Sequence, residues 1–201
     1  AIRNSTIHNC QGNALGVVNS NAFVENCQLT NTLGNCLSVD GGNVSVNSST
    51  IAQFDPFDAL RASSLGFSGY AHPLVSFKMT NSIVTGYSDD EMMGLKPAVG
   101  SENAFNYDFA NCIIRTPEVE DKEKAHYTDV VFEDVKDTVS YGYKHFLLVD
   151  ANMQLYDFHL RKESAAIDKA NVQTSTKHDH DGHERGDKPD VGAYEYTTNK
   201  E

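Results

Sequence analysis

The sequence lacks a basic stripe and a long apolar run. Its 16 lysines and arginines stand against 28 aspartates and glutamates, which gives a formal net charge of −12. The chain therefore has no cluster of basic residues that could neutralise phosphates, and we expect no nucleic acid partner. No apolar run approaches the roughly 20 residues that a membrane-spanning helix needs, so we expect no membrane span. The motifs G-x-S-x-G and H-E-x-x-H and the P-loop are also missing.

A four-residue motif recurs along the first part of the chain. It begins at residues 4, 26, 48, 81 and 111, so its steps are 22, 22, 33 and 30 residues. The copies are Asn4-Ser5-Thr6-Ile7, Asn26-Cys27-Gln28-Leu29, Ser48-Ser49-Thr50-Ile51, Asn81-Ser82-Ile83-Val84 and Asn111-Cys112-Ile113-Ile114. A period of this size indicates a solenoid, in which each repeat buries its apolar side on its neighbours.

The short runs within each repeat alternate apolar and polar residues, as Val44, Ser45 and Val46 do, which is the period of a strand. We predict an all-β fold, a right-handed parallel β-helix (a single-stranded solenoid) over 1–116. Its handedness follows the rule for parallel crossovers. Insertions are expected near 55–73 and 86–104, as loops on one face. The last residues of the motif, Ile7, Leu29, Ile51, Val84 and Ile114, should form one inward stack.

The asparagines that open the motif are interpreted as bend residues, because asparagine tolerates a left-handed φ. The four cysteines lie at Cys10, Cys27, Cys36 and Cys112, without a C-x-x-C pair. Cys27 and Cys112 share a position of the repeat but sit three levels apart, roughly 14 Å. A disulfide needs Cα atoms within about 7 Å, so we predict four free thiols.

The repeat fades after Ile114, and 117–201 is predicted to be a closing and capping segment. Ile83 and Ile113 stand where earlier repeats carry Thr or Gln, so that face must be covered in the later repeats. The natural cover is the segment 130–160 or the insertion near 55–73. Ala1 opens inside a strand motif, and we therefore expect the chain to be the C-terminal part of a longer protein.

Three motifs in this segment carry a resemblance. The matching residues are Asp157, Phe158, Leu160, Ser164, Ala166, Ile167, Asp168, Asp179, Asp181, Gly182, Arg185, Asp190, Gly192, Ala193, Tyr194 and Glu195. Their order resembles the closing motif of secreted, pectate-lyase-like right-handed parallel β-helix proteins, which are frequent among surface lipoproteins of Bacteroidetes. Ala165 stands where that family usually has proline. The resemblance implies an extracellular or cell-surface location, with a lipid anchor at an N-terminus outside this sequence as one option.

The family includes glycan lyases and glycan-binding proteins, so the resemblance alone does not assign an activity. We interpret Asp157, Ser164, Asp168, Arg185 and Glu195 as structural cap residues, with Arg185 beside a carboxylate. Asp179-x-Asp181-Gly182 also resembles the start of a calcium loop, and Asp190 stands where an EF-hand has glutamate. We expect no cofactor, and Ca²⁺ bound by Asp179, Asp181 and Asp190 is the alternative.

A polysaccharide lyase needs a base and a cation that neutralises the uronate. The candidates are Arg115, Lys78, His72 and Tyr70, with 89–91 as possible calcium ligands, and nothing in the sequence requires them to converge. Tyr70, His72 and Tyr87 are candidates for carbohydrate binding. A glycosidase is disfavoured because the predicted strands carry few carboxylates.

Two functional hypotheses remain. The first is a secreted or cell-surface β-helix protein that binds or displays glycan without catalysis. The alternative is a lyase-like enzyme that acts on acidic polysaccharide, with part of its site outside this sequence. A polysaccharide or surface glycan is the expected partner in both cases.

Overall fold

The computed structural model describes residues 1–55 and 61–198. Part of the insertion predicted near 55–73, residues 56–60, therefore lies outside the described residues. The described chain is mostly strand, with two short 3₁₀ helices at Asp121–His126 and Gly142–His145. The strands are β1 (Ile2–Arg3), β2 (Thr6–His8), β3 (Leu15–Glu25), β4 (Gln28–Thr30), β5 (Leu37–Asn47), β6 (Thr50–Gln53), β7 (Leu65–Ser68), β8 (Leu74–Thr80), β9 (Ile83–Gly86), β10 (Met92–Leu95), β11 (Phe105–Ala110), β12 (Ile113–Ile114), β13 (Tyr127–Thr128), β14 (Val131–Phe132), β15 (Phe146–Asp150) and β16 (Leu155–Leu160).

Most strands belong to two parallel sheets, which confirms an all-β fold built on parallel pairing. Sheet A has the order β1-β3-β5-β8-β11-β13, with β7 paired to β5 and β10 paired to β7. Sheet B has the order β14-β12-β9-β6-β4-β2. The chain visits the two sheets in turn, so each strand pairs with the equivalent strand one repeat away. The remaining two strands, β15 and β16, form an antiparallel pair.

The predicted apolar stack is the inward column of sheet B. Ile7 pairs with Leu29, Leu29 with Ile51, Ile51 with Val84, and Val84 with Ile114. The side chains from Leu29 onward are fully buried, and Ile7 packs against them at the first level. Burying one face of every strand fixes the register, because a slip of one residue would turn all these side chains outward.

The bends before sheet B have the backbone that the asparagines predict. Asn4, Asn26, Asn81 and Asn111 have φ of 47°, 50°, 49° and 53°, and Ser48 replaces asparagine with φ 47°. Asparagine is among the few residues that adopt this conformation at low cost. The repeat continues once more than the sequence indicated. Asp129, with φ 51°, is the bend between β13 and β14, and these two strands extend the parallel pairing to 132. This last repeat is hard to recognise in the sequence, because it follows the previous one by only 18 residues and has aspartate in place of asparagine at the bend.

The insertions are more regular than the expected loops. Leu65–Ser68 and Met92–Leu95 pair with each other, and the first of these strands also pairs with β5. Leu65 and Phe67 are buried while Gly66 and Ser68 are half-buried, so this stretch has the alternation of a strand. The prediction of plain loops was wrong here because neither segment carries the Asn-Ser motif that marks the other levels.

The described residues form two apolar clusters. The inner cluster lies between the sheets and includes the aromatic rings of Phe67, Phe77 and Phe109. The outer cluster lies on the other face of sheet B, where Ile83 and Ile113 pack with residues of the closing segment. Those residues are Phe146, Phe158, Leu160, Ala166, Val191, Ala193 and Tyr194. The expected cover over Ile83 and Ile113 is thus present, and it extends well beyond 160.

The last part of the closing segment lies along the side of sheet B. The Tyr194 hydroxyl donates to Gln28 Oε1 at 2.7 Å, and the Ala193 N–H donates to Thr50 Oγ1 at 3.0 Å. The Gly192 N–H donates to the Asn81 carbonyl at 2.9 Å. The same few residues therefore tie together several levels of the sheet.

The cysteines are free thiols, with Cys27, Cys36 and Cys112 buried and Cys10 partly exposed. Burial raises the pKa of Cys112 to about 12, so this thiol is protonated and unreactive at neutral pH. Within the described ranges, no helix is long and apolar enough to cross a membrane.

Candidate functional site

A cleft of about 560 Å³ lies between the edge of sheet B and the closing segment. Five stretches of chain build it: the residue after β6, the end of β9, the residue after β12, the loop 135–143, and β15 with the turn that follows it. Its lining residues are Phe54, Gly86, Tyr87, Arg115, Val135, Asp137, Thr138, Tyr141, Gly142, Tyr143, Leu148, Val149, Asp150, Ala151 and Asn152.

Three tyrosines line the cleft, and two of them are widely exposed. Tyr87 is 67% exposed and Tyr143 is 50% exposed, while Tyr141 is partly buried. The guanidinium of Arg61 lies over the Tyr87 ring at 5.5 Å, and the ammonium of Lys144 lies over the Tyr143 ring at 4.8 Å. Cation–π contacts of this kind help to hold exposed rings in place.

Arg115 lies at the base of the cleft and is held from several sides. Its Nε donates to the Ser88 carbonyl at 2.7 Å, and its Nη1 donates to Glu133 Oε2 at 3.1 Å. Its Nη2 lies 3.6 Å from Asp89 Oδ1. Since its side chain is only 12% exposed, Arg115 acts mainly as a fixed, already neutralised part of the cleft wall.

Behind Arg115 lies a buried chain of polar side chains. Glu133 Oε1 lies 3.0 Å from His145 Nε2, and His145 Nδ1 lies 2.7 Å from Ser164 Oγ. The order serine, histidine, glutamate is that of a nucleophile, its base and an orienting acid. Here, however, the glutamate and histidine side chains have no exposed surface, and the Ser164 oxygen accepts the Ala166 N–H at 3.2 Å. Substrate has no access to this hydroxyl. The network of Ser164, His145 and Glu133 is therefore structural, and it holds Glu133 beside Arg115.

Two carboxylates at the rim are held by the backbone. Asp137 Oδ1 accepts the Val139 and Ser140 N–H groups at 2.7 and 3.0 Å, which hold the pKa of Asp137 below its usual range. Asp150 Oδ1 accepts the Met153 N–H at 3.0 Å. Across the part of the chain that the structure describes, no lysine or arginine forms an ion pair with either carboxylate.

The residues singled out in the sequence do not gather at one place. Arg115 and Tyr87 line the cleft, but Tyr70, His72 and Lys78 do not. His72 Nδ1 lies 3.0 Å from Asp40 Oδ2, next to the turn that Tyr70 occupies. Lys78 is exposed on β8, where it is in register with Ser45 and Asp108.

Sequence reasoning missed Tyr141, Tyr143, Asp137 and Asp150. The Tyr-Gly-Tyr run at 141–143 was the available signal, because Gly142 has a positive φ of 61° and turns the chain between two aromatic rings.

Two of the three carboxylates suggested as calcium ligands accept backbone N–H groups. The third, Asp181, lies 3.0 Å from His159 Nε2 and 3.1 Å from His180 Nδ1. Asp179 accepts the N–H groups of Asp181, His183 and Glu195 at 2.8–2.9 Å. Asp190 accepts those of Asp168 and Tyr196 at 2.7 and 2.6 Å. In residues 1–55 and 61–198, no three His, Cys, Asp or Glu side chains are grouped so that they could hold a metal ion.

The stretch 89–91 is also held within the fold. Glu91 is buried and accepts from the Ser64 and Ser88 N–H groups at 2.9 and 2.8 Å, and burial raises its pKa. Asp90 accepts the Thr116 hydroxyl at 2.8 Å. These contacts hold the strand ends together.

Arg185 is the centre of the closing motif. It is 2% exposed, and its Nη1 donates to Glu195 Oε1 at 2.6 Å and to the Asp190 carbonyl at 2.9 Å. Its other donors reach the Gly192 and Ala193 carbonyls and the side chains of Thr176 and Asn26. Burial lowers the pKa of Arg185 and raises the pKa of Glu195 to about 7, because the pair is removed from water.

The other predicted cap residues are also in contact with neighbours. Asp157 Oδ1 accepts the His159 N–H at 3.0 Å, and the Asp168 N–H donates to Asp190. Ser164 belongs to the buried chain described above. Each of the five predicted cap residues therefore has a hydrogen-bonding partner in the fold.

The cleft combines exposed aromatic rings with fixed hydrogen-bonding groups. No protein-family model, curated protein or solved structure matches this chain. The function must therefore be argued from the residues that line the cleft.

Proposed function

We propose that this chain is a secreted or cell-surface protein that binds or displays a glycan without cleaving it. The observation that carries the proposal is the cleft with its three tyrosines, two rim carboxylates and the amide of Asn152. Sugar rings present apolar C–H faces that stack on aromatic rings, and hydroxyls that hydrogen-bond to carboxylates and amides. A concave site with few, well-fixed polar groups suits such a ligand.

The fold belongs to the same proposal. We interpret the two parallel sheets, visited in turn by successive repeats, as the walls of a right-handed parallel β-helix. The pairing of equivalent residues at steps of 22 and 33 supports this interpretation. The extracellular or surface location is inferred from the resemblance of the closing motif to secreted β-helix proteins.

Lysis is the weaker hypothesis. A lyase needs a base beside a cation that can neutralise a uronate. The described residues that line the cleft include no histidine or lysine, and its one arginine is already paired with Glu133. His72 and Lys78, the earlier candidates, lie outside the cleft.

Exposed tyrosines allow a direct test. Tyr87→Ala and Tyr143→Ala each remove a ring from the cleft, and Tyr70→Ala removes an exposed tyrosine outside it. A glycan array on the full chain identifies a ligand, and calorimetric titration then compares the variants. We expect the two cleft variants to weaken binding about fivefold or more, since a stacked ring contributes about 1 kcal/mol beyond its area. Melting temperature should remain unchanged.

Tyr70→Ala should bind as the wild type does. Failure of every glycan to bind would refute the proposal, as would equal losses in Tyr70→Ala and the cleft variants.

A further inference from the structure

We propose that the cleft selects its ligand by charge and takes a glycan that carries amino groups in preference to one that carries carboxylates. This inference rests on the proposed glycan binding. It concerns the balance of charge at Asp137, Asp150 and Arg115, the charged side chains among the lining residues.

Neither rim carboxylate forms an ion pair with a described lysine or arginine. The backbone N–H groups of Val139 and Ser140 hold the pKa of Asp137 below its usual range, so Asp137 is negative at any neutral pH. The Asp150 carboxylate is fixed by the Met153 N–H. The backbone hydrogen bonds of both turns use Oδ1, and the Ser140 side chain also hydrogen-bonds to the Asp137 carboxylate.

The cations near the cleft have partners of their own. Arg115 Nη1 lies 3.1 Å from Glu133, and Asp89 stands 3.6 Å from its Nη2. Arg61, beside Tyr87, lies 3.7 Å from the buried Glu91. Lys144 stacks on the Tyr143 ring. The two arginines are thus already compensated. Lys136 and Lys144 are the described lysines of the rim loop, and neither forms an ion pair with Asp137 or Asp150.

The uncompensated carboxylates would repel a uronate and attract an ammonium group. Two like charges about 4 Å apart interact unfavourably even in water, and more strongly in a cleft that excludes part of the solvent. The faces of the tyrosine rings also attract cations. The chain's net charge of −12 also attracts a cationic ligand and repels an anionic one over longer distances.

The test uses three oligosaccharides of equal length: oligomers of glucosamine, of N-acetylglucosamine and of galacturonate. Calorimetric titration is done on the full chain below the amine pKa, at low and at moderate salt. We expect the glucosamine oligomer to bind about fivefold more tightly than the neutral one, and the galacturonate oligomer to bind most weakly. The preference should shrink as salt rises.

The double variant Asp137→Asn, Asp150→Asn removes both charges and keeps an oxygen to accept each turn N–H. It should bring the affinities for the amino and neutral oligomers to within about twofold of each other. The control double variant Glu102→Gln, Asp187→Asn removes the same charge from exposed residues outside the cleft, and it should keep the preference.

Each other outcome has a separate meaning. Tightest binding of the galacturonate oligomer would overturn charge selection and leave glycan binding intact. Equal loss of preference in the cleft and control variants would also overturn it, because attraction would then come from the whole surface. Binding of none of the three oligomers, nor of any glycan on the array, would remove the proposed function and this inference together.

Discussion

Replacement of Arg185 with alanine tests the role of the closing motif. The guanidinium is 2% exposed and donates six hydrogen bonds, of which one is to Glu195 and three are to backbone carbonyls. Its loss leaves Glu195, Asp190 and Asp179 close together without a cation. Removal of one partner of a buried pair typically costs about 3–5 kcal/mol.

For a chain of this size, that cost corresponds to a fall in melting temperature of about 10 °C. Thermal unfolding followed by circular dichroism measures it, with Arg161→Ala as the matched control. Arg161 is 39% exposed and lies 3.8 Å from Glu163, so its loss should cost under about 1 kcal/mol. A melting temperature of Arg185→Ala within about 2 °C of the wild type would refute the reasoning. Unchanged stability with glycan binding abolished would make this motif the functional site.

Three further outcomes are expected. A thiol reagent should modify only the partly exposed Cys10 in the native protein and four cysteines after denaturation; fewer than four would show a disulfide. Because the pKa of Glu195 is raised by burial to about 7, its contribution to stability is present below its ordinary pKa and is lost as pH rises through about 7. Glu195→Gln should therefore flatten the fall in melting temperature between about pH 5 and pH 8, and an unchanged slope would contradict this. Gly42→Ala should destabilise the fold by more than about 1 kcal/mol, because φ at Gly42 is +86° and a Cβ there would lie 2.2 Å from the Ser20 carbonyl oxygen. In the control Gly12→Ala, the new Cβ meets open space. Equal melting temperatures of the two variants would exclude this strain.

The repeat could be read from the sequence because each level supplies the same residue types at the same positions. Parallel pairing of equivalents then places Leu29 beside Ile51 and Ile51 beside Val84. The left-handed bends were predictable for the same reason, because few residues other than asparagine and glycine adopt them cheaply. These are local properties repeated along the chain.

The cleft could not be predicted in this way. Tyr87, Arg115, Tyr143 and Asp150 come from four separate stretches, and only the docking of the closing segment brings them together. The buried contact of Glu133 with His145 depends on the same docking, and neither residue belongs to a motif. Sequence periodicity carries no information about such contacts.

The long reach of the closing segment has a consequence for the order of folding. Tyr194 contacts Gln28 across 166 residues, whereas strands of the stack pair over about one repeat. Local pairs form quickly and distant ones slowly, so the stack should assemble first and its side be sealed last. At synthesis rates of about 5–20 residues per second, the apolar face at Ile83 and Ile113 stays uncovered for roughly 4–16 seconds while the later part of the chain emerges. A nascent chain halted in that interval would expose this apolar surface, and we expect chaperones to bind it.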